Sequence, residues 1–227
     1  MHLKARFSPV VLSVALSFFA YFSQVAFACK ELDKLAPDSI TSLSSIEKLK
    51  QKMMASEPDV CKPYLDDLDI VKVKYIGFDE KEYTGIIIIH RELSQDILEI
   101  FQTLFKYQFP IGNIHPSGSK SNTTIAYNCR AVTNQAAMLS QHSYGRAIDI
   151  NPLINPYVKD EQVIPKEGTP YIDRNQDYKG MITRESLVYE LFVRRGWDWG
   201  GDWYDVGDYQ HFEKRANGEK RNPFGYD

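Results

Sequence analysis

Cysteine and histidine are scarce in this chain of 227 residues, which contains three cysteines and five histidines. The sequence contains no CxxC pair and no cysteine–histidine pair at finger-like spacing, which excludes a structural zinc finger. Basic residues do not exceed acidic ones, and the net charge of −3 indicates neither a nucleic-acid partner nor an anionic membrane surface. Glycine and proline are present at ordinary levels, which excludes fibrous and low-complexity proteins. The composition is that of a globular protein.

One long uncharged run is present, and it lies at the N-terminus. Two basic residues precede it, residues 10–28 carry no charge, and the run ends in Ala26-Phe27-Ala28, the small-residue pattern that a signal peptidase reads. Residues 1–28 are therefore predicted to be a cleaved signal peptide, so that the mature protein is secreted or periplasmic. A membrane anchor is the alternative, because the run is nearly long enough to span a bilayer. Lipidation at Cys29 is disfavoured, because Ala26 stands where a lipobox usually has leucine.

Three cysteines in an exported protein allow one internal disulfide and leave one thiol over. Cys29 and Cys61 both precede the apparent core of the domain. We therefore expect Cys29 to pair with Cys61, and Cys129 to stay reduced.

Hydrophobic periodicity predicts one α+β domain, compact, with a small antiparallel sheet flanked by helices. Residues 29–69 are predicted to form a helical lead-in, in which Leu43, Ile46, Leu49 and Met53 recur at helical spacing. Alternation over residues 70–76 predicts a strand, and the apolar run at residues 85–89 predicts a central strand. Two further helices are predicted, with Ser94 and Thr183 as their N-caps. Residues 111–124 and 151–180 are predicted to be loops.

Two of the histidines lie among acids and glycines. In SQHSYGRAIDIN, an extended segment around Asp149 would place Asp149 on the face opposite its isoleucine neighbours. Gly145 permits a sharp turn that brings His142 back over Asp149. In DVGDYQHFE, His211 follows Asp208 by three residues.

This set of residue types is the one that a hydrolytic zinc site requires. Such a site uses three nitrogen or oxygen ligands and one open position. His142, Asp149 and His211 can supply the ligands, and Asp208 remains as a carboxylate that can accept a proton from the attacking water. The alternative is that both histidines are structural and that Asp149 is a turn or cap residue. The spacing alone does not decide between the two interpretations.

Several separated motifs, in this order, resemble a known family. SQHSYGRAIDINP, followed by GWDWGGDW and DYQHFE, is similar to the zinc D,D-carboxypeptidase and L-alanyl-D-glutamate endopeptidase family. That family includes vancomycin-resistance carboxypeptidases and phage endolysins. GFDEKEYTGIIIIHREL, FPIGNI and YNCR extend the resemblance over residues 70–213. It implies a hedgehog/D,D-peptidase-like fold, with residues 70–227 as the zinc peptidase domain.

The resemblance also implies roles for individual residues. It implies zinc ligands at His142, Asp149 and His211, and a catalytic acid/base at Asp208. Arg130 in YNCR fits the family arginine that polarises the scissile carbonyl or binds substrate. Ser140 and Trp199 fall on motif positions near the substrate, although core packing is an equal interpretation of Trp199.

The function implied by the resemblance is hydrolysis of peptide bonds in peptidoglycan stem peptides. We expect a secreted monomeric zinc metallopeptidase without a nucleic-acid partner and without stable membrane insertion after signal cleavage. The YNCR, FPI and GWDWGGDW elements favour an L-Ala–D-Glu endopeptidase, with a D-Ala–D-Ala carboxypeptidase as the alternative. A non-catalytic cell-wall-binding module with a retained zinc site is a further alternative. A cysteine-dependent amidase that uses Cys129 is disfavoured, because no histidine or acid stands at a recognisable spacing from it.

Overall fold

The computed structural model describes residues 43–116, 122–133 and 135–225, with the backbone alone for residues 43–46. The predicted signal peptide and Cys29 lie outside these residues and stay predictions. Among the described residues, no helix has the length and apolar character needed to cross a membrane.

The described residues fold into three α-helices, short 3-10 turns and many short strands. The helices are α1 (Leu43–Ser56), α2 (Ser94–Lys106) and α3 (Leu187–Val193). The strands of the first half are β1 (Leu68–Ile76), β2 (Glu82–His90), β3 (Asn113–Ile114), β4 (Thr123–Thr124), β5 (Ala131–Val132) and β6 (Gln135–Leu139). Those of the second half are β7 (Ala147–Asp149), β8 (Tyr157–Lys159), β9 (Gln162–Ile164), β10 (Asp198–Trp199), β11 (Gly207–Asp208) and β12 (His211–Glu213). The prediction of one α+β domain is confirmed.

The hairpin of β1 and β2 forms the middle of the domain. Its two strands pair antiparallel along nine residues each. Ile87 and Ile89 pack with α2 on one face, whereas Ile86 and Ile88 pack with Leu49 of α1 on the other. Because β2 is covered on both faces, its sequence is a continuous apolar run rather than an alternating one.

The second edge of β2 holds the segments that lead to the site, although no further strand among the described residues pairs with it in regular register. The Ile88 carbonyl accepts a hydrogen bond from the Tyr127 N–H at 2.9 Å, and the His90 N–H donates to the Gly145 carbonyl at 2.8 Å. Gly145 has a φ of +63°, and a Cβ there would lie 2.7 Å from the His90 nitrogen. Glycine is therefore required for this turn to approach the hairpin.

A second sheet, of order β10–β12–β7, carries the candidate site. Ile148 and Phe212 are paired across β7 and β12, and both are fully buried in the main core. The Phe192 ring of α3 stacks on Phe212 with centroids 4.3 Å apart. Since side chains alternate along a strand, the neighbours Asp149 and His211 point away from this core.

Both helices predicted after β2 are present, but neither predicted cap residue has the predicted role. The hydroxyl of Ser94 donates to Asp69 at 2.8 Å instead of capping α2. The cap of α3 is Ser186, whose hydroxyl accepts from the Tyr189 N–H at 3.3 Å. Thr183 precedes this cap in a turn, where its carbonyl accepts the Ser186 N–H. The helix therefore begins later than the predicted cap indicates.

The predicted cysteine pairing is wrong, because Cys61 forms a disulfide with Cys129. Both residues lie in the hydrophobic cluster between α1 and β2, together with Leu49 and Tyr127. The hydrogen bond from Tyr127 to β2 brings Cys129 to this cluster, and the 3-10 turn after α1 brings Cys61. Cys129 is therefore not a reduced thiol.

We expect the Cys61→Ser/Cys129→Ser double variant to have a free energy of unfolding lower by about 2–4 kcal/mol. The bridge joins residues 68 positions apart, so its removal enlarges the conformational freedom of the unfolded chain. Denaturant titration with and without reductant measures the effect. Reductant should destabilise the wild-type protein and leave the double variant unchanged. A Cys29–Cys61 bridge in non-reducing peptide mapping would contradict the pairing.

Candidate metal centre

Three buried side chains from three elements converge on the face of the second sheet that points away from the main core. His142 lies in a 3-10 turn (Gln141–Tyr144), while Asp149 and His211 are direct partners on β7 and β12. The Oδ1 atom of Asp149 lies 3.2 Å from Nε2 of His142 and 3.0 Å from Nδ1 of His211. The two imidazole nitrogens are 3.1 Å apart. The structure thus brings together the three residues that the sequence predicts as ligands.

The outer nitrogen of each imidazole has its own hydrogen-bond acceptor. Nδ1 of His142 lies 2.6 Å from the Ala126 carbonyl, and Nε2 of His211 lies 3.1 Å from the Glu213 carboxylate. A carbonyl oxygen can only accept, so Nδ1 of His142 carries a proton and its Nε2 presents a lone pair to the centre. Metal-binding histidines typically donate their second N–H to a carboxylate or carbonyl in this way.

These donors fit a divalent metal ion. One nitrogen from each histidine and one Asp149 oxygen lie within 4.8 Å of one another. Two inward nitrogens and a carboxylate need a positive charge between them, which either a proton or a cation can supply. Two imidazoles and one carboxylate, with further coordination positions open, form a set typical of catalytic zinc.

In the metal-free protein, the electrostatics place that positive charge on His211. Burial lowers the pKa of His142. Burial acts in the same direction on His211, but its hydrogen bonds to Asp149 and Glu213 outweigh it and raise its pKa to about 10. Burial opposes ionisation of Asp149, but the hydrogen bond and positive charge of His211 hold the pKa of the Asp149 carboxyl well below its usual range.

We therefore expect metal binding to release about one proton at neutral pH, because the cation must displace the proton on His211. The apparent affinity should rise about tenfold per pH unit between pH 6 and 8, since the pKa of His211 lies above this range. Isothermal titration calorimetry in buffers of different ionisation enthalpy counts the protons. Binding without proton release would contradict the assigned charge state.

A cleft opens from this centre to the surface, and Asp208 and Arg130 line it together with His211. Both side chains are half-buried. Burial raises the pKa of Asp208 to about 6, and the negative charge of Asp149 acts in the same direction, against His211 and Arg130. A carboxylate with such a pKa is ionised at neutral pH and still basic enough to accept a proton.

The backbone around Asp208 explains one glycine of the GWDWGGDW motif. A Cβ on Gly200 would lie 2.5 Å from the Asp208 carbonyl oxygen. The turn after β10 therefore packs against the backbone of β11 only with glycine at this position. The motif sets the position of Asp208 without contributing a reacting group.

Ser140 and Ser143 flank His142 and fix the local backbone. Ser140 bonds to His142 itself, and Ser143 bonds to Arg130. Ser140 is buried, and its hydroxyl accepts from the His142 N–H at 3.4 Å, which caps the 3-10 turn. Ser143 bonds to Arg130 through both the Arg130 N–H (3.0 Å) and its carbonyl (2.8 Å). Ser140 also lines the cleft, so its position fits either a supporting or a substrate-contacting role.

Of the three tryptophans in the motif, Trp203 lines the cleft, whereas Trp197 and Trp199 lie in the core. Trp199 is only 4% exposed, and its indole N–H donates to the Tyr209 carbonyl at 2.9 Å. The ring of Trp203 lies 5.3 Å from that of His211 and 4.0 Å from the guanidinium of Arg221. The aromatic wall beside the metal centre is therefore Trp203.

Glu213 orients His211, a role that the sequence analysis does not assign to it. Its carboxylate is 2% exposed and bridges His211 Nε2 (3.1 Å) and Arg215 Nε (2.6 Å). Burial would raise its pKa, but the bonds to His211 and Arg215 lower it, so the side chain is ionised. Its position two residues after His211 on one strand, hence on the same face, is the signal that could have indicated this role.

Comparison with known proteins gives one match. A family model described as D-alanyl-D-alanine carboxypeptidase matches residues 133–214, which include His142, Asp149, Asp208 and His211. Arg130 and the upstream motifs lie outside the matched residues. Neither the curated proteins nor the solved structures gave a match. The matched segment and its buried His–Asp–His group confirm the resemblance found in the sequence: residues 133–214 are similar to the D-alanyl-D-alanine carboxypeptidase family and contain a group that could hold a metal ion.

Proposed function

We propose that the protein is a secreted zinc peptidase that cleaves the L-Ala–D-Glu bond of peptidoglycan stem peptides. One observation carries this proposal: the cleft that reaches the metal-binding group at His211 is also lined by a half-buried carboxylate and an arginine. His142, Asp149 and His211 would hold the metal, while Asp208 and Arg130 line the cleft beside it. A non-catalytic module has no need for the last two residues.

The residues of the site have separate parts in the proposed reaction. A bound zinc ion would polarise the scissile carbonyl and make water a stronger nucleophile at neutral pH. Asp208 accepts the proton of the attacking water and delivers it to the leaving amine. Arg130 is permanently charged and lines the same cleft, so its guanidinium can stabilise the negative charge that develops on the carbonyl oxygen.

The disulfide supports export. Structural disulfides persist in oxidising compartments and are rare in the cytosol. The Cys61–Cys129 bridge therefore agrees with a signal peptide over residues 1–28. Secretion or periplasmic residence remains part of the proposal.

A D-Ala–D-Ala carboxypeptidase is the second candidate, favoured by the description of the matching family model. Mass spectrometry of defined muropeptides, digested by mature protein with and without zinc, separates the two. Release of the fragment that begins with D-Glu indicates the endopeptidase. Loss of a single terminal D-Ala indicates the carboxypeptidase. Intact muropeptides in the zinc-loaded reaction would exclude both.

A further inference from the structure

Strand β8 lies beside the catalytic carboxylate and presents a second side chain to the cleft. Tyr157 and Asp208 are partners in the β8–β11 pairing. Tyr157 and Lys159 both line the cleft, as expected for residues on the same face of a strand. Lys159 therefore lies about 6–7 Å further along β8 than Tyr157, the residue that pairs with Asp208.

Three other charged side chains of the cleft, Arg221, Asp205 and Glu213, already have ion-pair partners. Arg221 binds Asp205 through two bonds of 2.9 and 2.8 Å, and Glu213 is held by His211 and Arg215. Within the described part of the chain, the ammonium of Lys159 forms no ion pair within 4.0 Å. Its electrostatic neighbour is Asp205, which Arg221 already neutralises. Lys159 thus brings a half-buried, unbalanced positive charge to the cleft wall.

We propose that Lys159 is the site that binds the free carboxylate of the substrate residue whose amine is released. This inference rests on the proposed function. Both candidate substrates carry such a carboxylate on the Cα next to the leaving nitrogen. In the L-Ala–D-Glu bond it is the α-carboxylate of D-Glu, because the chain continues through the γ-carboxyl group. In D-Ala–D-Ala it is the C-terminus.

The geometry fits this assignment. Asp208 delivers its proton to the leaving nitrogen, and the carboxylate lies only two bonds from that nitrogen. The side chain of Lys159 lines the same cleft as Asp208, and an ammonium pairs with a carboxylate as a charge-assisted hydrogen bond. The residue would then fix the leaving group beside its proton donor, without taking part in bond cleavage.

The test compares substrate pairs that differ only in this carboxylate. L-alanyl-γ-D-glutamyl-L-lysine is assayed against its α-amide, and an N-acyl-D-alanyl-D-alanine against its C-terminal amide. Lys159→Met should lower kcat/KM for the cleaved carboxylate substrate by about 10–100-fold, mainly through KM, and change the amide substrate little. Lys159→Arg should retain most of the activity. Lys166→Met is the matched control. Lys166 also lies within residues 151–180, but it is exposed and does not line the cleft.

A binding experiment keeps the inference testable without turnover. Zinc-loaded wild type and Lys159→Met are titrated with γ-D-glutamyl-L-lysine and with its α-amide. The wild type should prefer the carboxylate form by about tenfold or more, and the variant should lose that preference. Equal losses on both ligands, or no preference in the wild type, would overturn the role of Lys159. Absence of cleavage by the wild type would instead contradict the proposed function.

Discussion

Replacement of His142 or His211 by alanine is expected to remove the metal and the peptidase activity together. Both histidines are buried, and each directs one nitrogen at the same Asp149 oxygen. Loss of either nitrogen leaves two ligands, too few to retain the ion. Even loss of a residue that supports a ligand commonly weakens metal binding 10–100-fold, so loss of a ligand should exceed about 100-fold.

Metal content after desalting, measured by mass spectrometry with inductively coupled plasma, decides this prediction when combined with a muropeptide assay. Glu213→Gln provides a graded comparison, because it keeps both imidazoles and replaces the carboxylate that orients His211, and that also pairs with Arg215, by an amide. It should retain metal with about 10–100-fold lower affinity. His90→Ala is the control, because His90 lies outside the His142–Asp149–His211 group and bonds to Arg146 at 3.3 Å. This variant should retain stoichiometric metal. Stoichiometric metal in a His142→Ala/His211→Ala variant would refute the assignment of the centre.

The metal centre could be predicted from sequence because its geometry is mostly local. Gly145 and the alternation of β7 determine that His142 and Asp149 face the same point, and both signals are present within eight residues of sequence. The third ligand depends on tertiary structure, because Asp149 pairs with His211 on β12, which lies 62 residues away in the chain. Resemblance of the two motifs to one family supplied that link before the fold was known.

The remaining features depend on contacts between residues that are distant in the chain. Cys129 reaches Cys61 because the segment around Tyr127 bonds to β2, and nothing in the spacing of the cysteines indicates this. Trp199 and Trp203 of GWDWGGDW look equivalent in sequence. The β10–β12 pairing buries Trp199, and Arg221 from the C-terminal segment covers Trp203. Their different roles follow from packing rather than from residue type.

Replacement of Asp208 by asparagine is expected to lower turnover about 10²–10⁴-fold, the usual size of a general acid–base contribution. Asparagine has nearly the same shape but cannot take up the proton of the attacking water. The ligands His142, Asp149 and His211 are unchanged, so metal content and thermal unfolding should match the wild type. The defect should therefore appear in kcat with little change in metal affinity.

The pH dependence gives a second measure of the same residue. Because burial raises the pKa of Asp208 to about 6, the carboxylate is ionised and competent above that pH and is progressively protonated below it. Wild-type kcat should fall as the pH decreases through this region. A cation bound beside Asp208 favours its ionised form, so the acidic limb in the loaded enzyme should lie at or below about pH 6. Asp208→Asn should lose this limb from what activity remains.

Asp205 is the rival base, and its surroundings argue against it. Arg221 holds both of its oxygens, and these bonds, more than the opposing effect of burial, keep its pKa below the ordinary value. An ionised carboxylate tied to a guanidinium on both oxygens is a weak proton acceptor. Asp205→Asn should therefore disturb the Arg221–Trp203 wall and raise KM, yet leave the acidic limb of the kcat profile in place. Near-normal turnover in Asp208→Asn, with Asp205→Asn inactive and fully metallated, would transfer the role of base to Asp205.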